Sequence, residues 1–195
     1  MRRDLLTSVL AILAITLLFG LAYPLVVTGV SQVAFAGRAD GSMVTANGRT
    51  VGSRLIGQDF RGLPRYFQSR PSTATHYDAA ATAFTNLGPN SKHARDTFRA
   101  NLAAYLRRER RFDPGLSAGH VPIDAVTSSA SGIDPHISQA NARIQAHRVA
   151  AVRHLPLAVV DRLVDDHTDG RFLGVFGEPG VNVLELNLAL DRLES

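Results

Sequence analysis

Near the end of the chain, Asp165, Asp166, His167 and Asp169 gather three carboxylates and an imidazole. Hard cations take carboxylate oxygens, so this stretch is a candidate cation site. It lacks the calcium-loop pattern of spaced oxygen ligands, a central glycine and a distal glutamate. The plainer reading is a charged turn between a helix and a strand. Ser131, Asp134 and His136 place the side-chain types of a nucleophilic triad in one short run. Triad groups meet through folding from separate elements, and no G-x-S-x-G elbow accompanies these. Their crowding reads as a shaped loop that docks on something. His147 and His154 can share a helical face, but two ligands do not make a metal site.

A nucleotide site finds no support. The sequence has no G-x-x-x-x-G-K-[ST] phosphate cradle, its single lysine is Lys92, and no Asp-Lys-Thr-Gly phosphorylation sequence occurs. There is no cysteine, which excludes disulfides and thiolate-held metals. The net charge is +4, from 21 basic and 17 acidic residues spread along the chain. Arg107, Arg108, Arg110 and Arg111, with Glu109 among them, form the one basic cluster, and it reads as a solvated helix end rather than a nucleic-acid patch. The residues therefore assign no catalytic, cofactor-binding or metal-ligating position.

The element that must position everything else is the start. No charged residue occurs from Leu5 to Gly37, and Leu5–Val27 is almost wholly apolar. As a helix this core is about 34 Å long, enough to cross a hydrocarbon layer of about 30 Å. Arg2, Arg3 and the Ala34-Phe35-Ala36 sequence resemble parts of a cleaved signal, and the arginine pair those of a twin-arginine signal. The apolar run is about twice the length of a signal's core, which favours an uncleaved anchor. Pro24 can kink its last turns or end it. The basic excess before the span predicts a cytoplasmic N-terminus and an extracytoplasmic domain. With no ionisable group inside, the span is an anchor or a packing helix rather than an ion path. Thr16 and Gly20 form a weak small-residue pair for a helix contact.

The expected fold class is α+β: residues 1–36 as cytoplasmic N-terminus and transmembrane helix, residues 37–195 as one soluble domain outside. Asn47-Gly48 predicts a tight hairpin turn between Met43-Val44 and Val51, with Leu55-Ile56 extending the second strand. Residues 66–93 read as loop. Asn90 or Ser91 caps a helix to about Arg111, with Ala94, Phe98, Leu102, Tyr105 and Leu106 on a core-facing stripe. Ser138 caps a second helix to His154, with Ala140, Ile144, Ala151 and Leu155 inward. Leu157–Asp166 forms a third, with Val160, Leu163 and Val164 on one side. Arg171–Phe176 reads as a strand. Leu184, Leu186, Leu188 and Leu190 alternate as in a strand, but length and Leu/Ala content favour a helix over 181–193 with Asn182 as its cap.

Read in order, several stretches resemble the KdpC family of the bacterial Kdp-type potassium-transporting ATPases. They are Tyr23–Gly29, Val51–Gln58, Tyr66–Ser72, Asn86–Pro89, Ser131–Ser138, Arg148-Val149, His167–Arg171, and Gly177–Pro179 with Val181–Asp191. Each is short, but their order is specific and spans nearly the whole chain. Ala83-Phe84-Thr85 stands where that family tends to have a Gly/Ser run, and Gly180 where a basic residue is common.

The resemblance implies a single-pass accessory subunit of the cell inner membrane. It would have no catalytic residues of its own. Its partners would be a potassium-channel-like subunit, a P-type ATPase subunit and membrane lipid, with no nucleic acid. It would stabilise assembly in high-affinity potassium uptake, with ATP and potassium handled by the complex. The family is also described as a catalytic chaperone that raises ATP affinity. An extracytoplasmic domain cannot touch cytosolic ATP, so such an effect would be indirect. The alternative is a secreted or anchored extracytoplasmic binding protein. A hydrolase using loop Ser and His residues is the third possibility.

Overall fold

A computed structural model describes residues 1–73, 77–82, 86–88 and 90–194. It divides into two compact units, Met1–Met43 and Val44–Ser195. Two of the stretches compared with the family, Ala83-Phe84-Thr85 and Pro89, lie outside the described residues.

The first unit is one apolar helix, Arg2–Ala34, none of whose residues is buried within the chain. Among the described residues it is the one helix long and apolar enough to cross a membrane. It comprises α1 (Arg2–Ile15), π-helical turns over Thr16–Ala22, and α2 (Tyr23–Ala34), followed by the short α3 (Ala36–Ala39). Pro24 does not end the span. Its ring would crowd the Gly20 carbonyl in an α-helical register, and it has no N–H to donate. The helix widens just before it instead, with the Tyr23 N–H bonded to the Leu18 carbonyl five residues back.

From Met43 on, β1 (Met43–Ala46) and β2 (Arg49–Ser53) form the hairpin expected at Asn47-Gly48. Both turn residues have positive φ, 50° and 74°, as a type I′ turn requires. Leu55-Ile56 does not extend β2. The Ser53 hydroxyl accepts the Leu55 N–H and the Ser53 carbonyl accepts that of Ile56, which turns the chain away.

Helix α4 (Lys92–Glu109) is capped by Ser91, and α5 (Gln139–Arg153) by Ser138. Helix α6 spans Leu157–Asp166 and α7 spans Val183–Arg192, the latter capped by Asn182. The final segment is thus a helix, preceded by a three-residue strand. A three-stranded antiparallel sheet has β5 (Gly180–Asn182) between β3 (His136–Ile137) and β4 (Thr168–Asp169). The main core packs Phe67, Ile137, Val149, Val160, Val164, Leu186 and Leu190 between these helices and the sheet. A second cluster seats Tyr105 of α4 on Leu116 and Val126.

Three expectations are corrected. On α5 the inward face is Asn141, Ala142, Gln145, Ala146, Arg148 and Val149, while Ala140 and Ala151 are exposed. Half of the buried face is polar, so apolar spacing finds only its margin: Ile144 and Leu155 are half-buried and pack on the two clusters. On α4 Phe98 is exposed and lines an open cavity of about 660 Å³ with Leu87, Pro71 and Thr97. Arg171–Phe176 is not a strand but a reversal, with Leu173 and Gly174 at positive φ and one bridge joining Phe172 to Phe176.

Candidate functional site

The stretch Tyr66–Ser72 lies at the centre of the domain as an extended strap whose backbone is satisfied by side chains. Asn187 of α7 accepts the Phe67 N–H at 2.8 Å and donates to its carbonyl at 2.9 Å. Gln145 of α5 does the same for Gln68, at 2.8 and 3.0 Å. Arg148 donates to the carbonyls of Pro64 and Tyr66 and grips Glu109 of α4 through Nε at 3.2 and 3.1 Å. Both members of that pair have fully buried side chains. Burial pushes the Arg148 guanidinium below its ordinary value, and the charge of Glu109 opposes this. Arg153 stacks over Tyr66 and pairs with Asp191 at 2.8 Å and Glu194 at 2.9 Å.

Farther along, the strap meets the Ser/Gly loop. Arg70 bonds Asp134 at 3.2 Å and the Ser128 carbonyl at 3.0 Å, and Ser72 donates to the Gly132 carbonyl. The stretches that carry the family resemblance are therefore largely each other's partners.

The structure keeps Asp134 and His136 together but separates Ser131 from them. Ser131 accepts the Ile133 N–H and pairs with Ser129, while His136 is held by Asp169 at 3.1 Å and lies 3.6 Å from Asp134. No Ser131–His136 hydrogen bond forms among the described residues. The acidic run is likewise divided. Asp165 pairs with Arg143 at 2.7 Å, Asp169 with His136 and Arg54, and the His167 ring with the Leu163 carbonyl at 2.8 Å. Among the described residues no group of three or more His, Asp and Glu comes together to hold a metal ion. His147 is half-buried on α5, and His154 is that helix's left-handed C-cap. In the basic cluster, Arg108 lies over the Tyr105 ring and Arg110 donates to the Leu116 carbonyl, so two of the four arginines serve packing.

Composition and spacing did not reveal the charged latch on the small sheet. His136 of β3 reaches over Gly180 of β5 to Asp169 of β4. A Cβ at position 180 would stand 3.1 Å from His136 Cβ, so the absent side chain leaves room for the ring. Arg54 lies 3.7 Å from Asp169 and 3.4 Å from Glu185, beside a cavity of about 320 Å³ also lined by Asp166, His167 and Arg192. His136 is held above its ordinary value of 6.5 by Asp134 first and then by Asp169, against burial. For Asp134, burial pushes upward, but hydrogen bonds from His136 and the charge of Arg70 outweigh it and hold the carboxyl low. The sequence signal that could have shown this latch was Gly180 itself, where the resembling family commonly has a basic residue.

The sequence is similar to those of known proteins along its length. The family model described as "KdpC: K+-transporting ATPase, c chain" matches residues 5–192. A Koribacter versatilis protein named "Potassium-transporting ATPase KdpC subunit" is 46% identical over 192 residues, covering 98% of this chain and 95% of the relative. A Mycobacterium tuberculosis protein of that name is 46% identical over 194 residues, covering 99% of this chain and all of the relative. One from Nitratidesulfovibrio vulgaris is 49% identical over 195 residues, covering 97% and 96%. With one apolar helix, an α+β domain and a match over nearly its full length, this chain belongs to the KdpC family of K+-transporting ATPase c chains.

Proposed function

We propose that this chain is a non-catalytic accessory subunit that stabilises assembly of the ion-conducting and ATPase subunits of an ATP-driven potassium uptake complex. Residues 1–36 form the cytoplasmic N-terminus and inner-membrane anchor, and residues 37–195 the extracytoplasmic domain. Arg2 and Arg3 before a charge-free span support that orientation. The observation that carries the supporting role is how the charged side chains of the family-like stretches are used. Arg70 holds Asp134, Arg148 holds Glu109, and His136 holds Asp169, so these groups build the domain's own frame. Any effect on nucleotide affinity is transmitted through the ATPase subunit, because the domain lies across the membrane from cytosolic ATP.

The test is purification of the tagged full chain from cells expressing the other subunits. The expected result is recovery of two larger membrane subunits at a fixed ratio, with the intact mass retaining residues 1–36. Deleting the chain should abolish growth at micromolar potassium. Recovery of a stable, unaccompanied protein cleaved near Ala36 would overturn the proposal and favour a secreted binding protein.

A further inference from the structure

Between β4 and β5 the chain leaves the domain as a short finger, and its tip is apolar. Phe172, Leu173, Val175 and Phe176 are 72%, 75%, 70% and 63% exposed. Together they present a patch of a few hundred Å², the size at which exposed apolar surface usually marks an interaction site. The finger is structured. Phe172 and Phe176 exchange backbone hydrogen bonds at 2.8 and 2.9 Å. Below them Arg171 clasps Glu178 with two bonds at 3.0 and 2.9 Å. At the root Asp169 pairs in register with Gly180 and is gripped by His136. A tip held this way loses little conformational freedom on binding.

We infer that the finger is a plug that seats in an apolar socket on another subunit of the same membrane complex, an inference that rests on the accessory-subunit reading above. The chemistry around the tip selects this occupant over a lipid surface. Loops that enter anionic leaflets surround their apolar residues with lysine and arginine. From Asp165 to Gly180 this chain has four carboxylates, Asp165, Asp166, Asp169 and Glu178, against the single base Arg171. Arg171 is already occupied by Glu178. Asp165 is likewise paired with Arg143, and Asp169 with His136 and Arg54. These bases are committed to the root's carboxylates rather than ringing the tip as an anionic leaflet requires, and an uncharged tip on a charge-paired root complements an apolar socket.

The chain has no cysteine, so Leu173→Cys in the full chain carries one environment-sensitive fluorophore. It is measured in phosphatidylethanolamine–phosphatidylglycerol vesicles, alone at two protein densities and then assembled with the other subunits. A blue shift only on assembly is the expected result. A shift in vesicles alone, whether constant or rising with density, would assign the tip to lipid or to a second copy and overturn the inference. So would a tip that stays wet in the assembled complex. If the unmodified chain itself fails to assemble, the accessory-subunit reading fails first. In parallel, Phe172→Ser with Phe176→Ser should leave thermal unfolding of the chain unchanged. Retention by the complex should fall about tenfold or more, as expected for loss of central aromatic anchors. Ile123→Ser, equally exposed elsewhere, should leave retention unchanged. Equal retention of the unmodified chain and both variants would also overturn the inference.

Discussion

The side-chain amide of Asn187 closes on both backbone polar groups of Phe67, accepting its N–H at 2.8 Å and donating to its carbonyl at 2.9 Å. The relationship replaces a strand pairing: one side chain of α7 does for the strap what a neighbouring strand would do in a sheet. All the groups involved are buried. Asn187→Leu keeps the volume but leaves the Phe67 amide and carbonyl unpaired, at about 1–3 kcal/mol for each. The expected loss is about 3 kcal/mol, read from unfolding of the full chain in detergent. A loss below about 1 kcal/mol would show that the amide does not hold the strap.

Arg148 and Glu109 make the second prediction. Arg108 Nε also reaches Glu109 at 2.6 Å, but the fully buried Arg148 is the partner that shares its desolvation, so removing either member of the pair costs about 3–5 kcal/mol. Arg148→Met should be worse than Glu109→Gln, because Arg148 also serves Pro64, Tyr66 and Gln145. The double variant should cost clearly less than the sum of the two single variants. Additive costs in a double-mutant cycle would mean the two charges are not coupled.

These two sites also show where the sequence was legible. Hairpin, caps and helix limits rest on local chemistry, so Asn47-Gly48, Ser91, Ser138 and Asn182 could be read directly. Helix α7 gave a strand-like alternation because Leu188 shares the wetter face with Glu185 and Arg192 while Leu184, Leu186 and Leu190 are buried, so the leucines alone do not mark the dry face. Helix α5 misled for the opposite reason, since Asn141, Gln145 and Arg148 are buried yet polar. What could not be read locally was long-range pairing: Asn187 with Phe67, or His136 over Gly180 to Asp169. The run Arg171–Phe176 looked like a strand because composition does not say whether a partner strand pairs with it.

Gly180 is the third test. A Cβ there meets His136 Cβ at 3.1 Å, so Gly180→Ala should push the imidazole off β5 and lengthen or break its bond to Asp169. The fold should persist, since Gly180 does not have positive φ. The His136 titration followed by NMR should move down toward 6.5, as one of its two carboxylate partners withdraws. An unchanged titration would show that the ring does not depend on the empty space.

The same latch fixes a pH dependence whose sign can be worked out. His136 is raised above its ordinary 6.5 by Asp134 and then Asp169. A group whose folded pKa exceeds its unfolded one binds more protons when folded, so its stabilisation is full below the unfolded value and is lost as pH rises through the folded one. Asp134 has the opposite shift, and its contribution is present above its ordinary 3.8 and lost as pH falls through the lower folded value. Between these two limits, in mildly acidic solution, both contributions are in place. Stability of the full chain should therefore decline as pH passes upward from about 6.5, and hold down to about the ordinary carboxylate range. His136→Asn keeps a polar side chain but cannot titrate, so it should remove the decline on the alkaline side. Asp169→Asn should shift that decline to lower pH without abolishing it, because Asp134 still faces the imidazole. Unfolding midpoints measured across this range at constant ionic strength give the answer, and an alkaline slope that survives His136→Asn would assign it to another group.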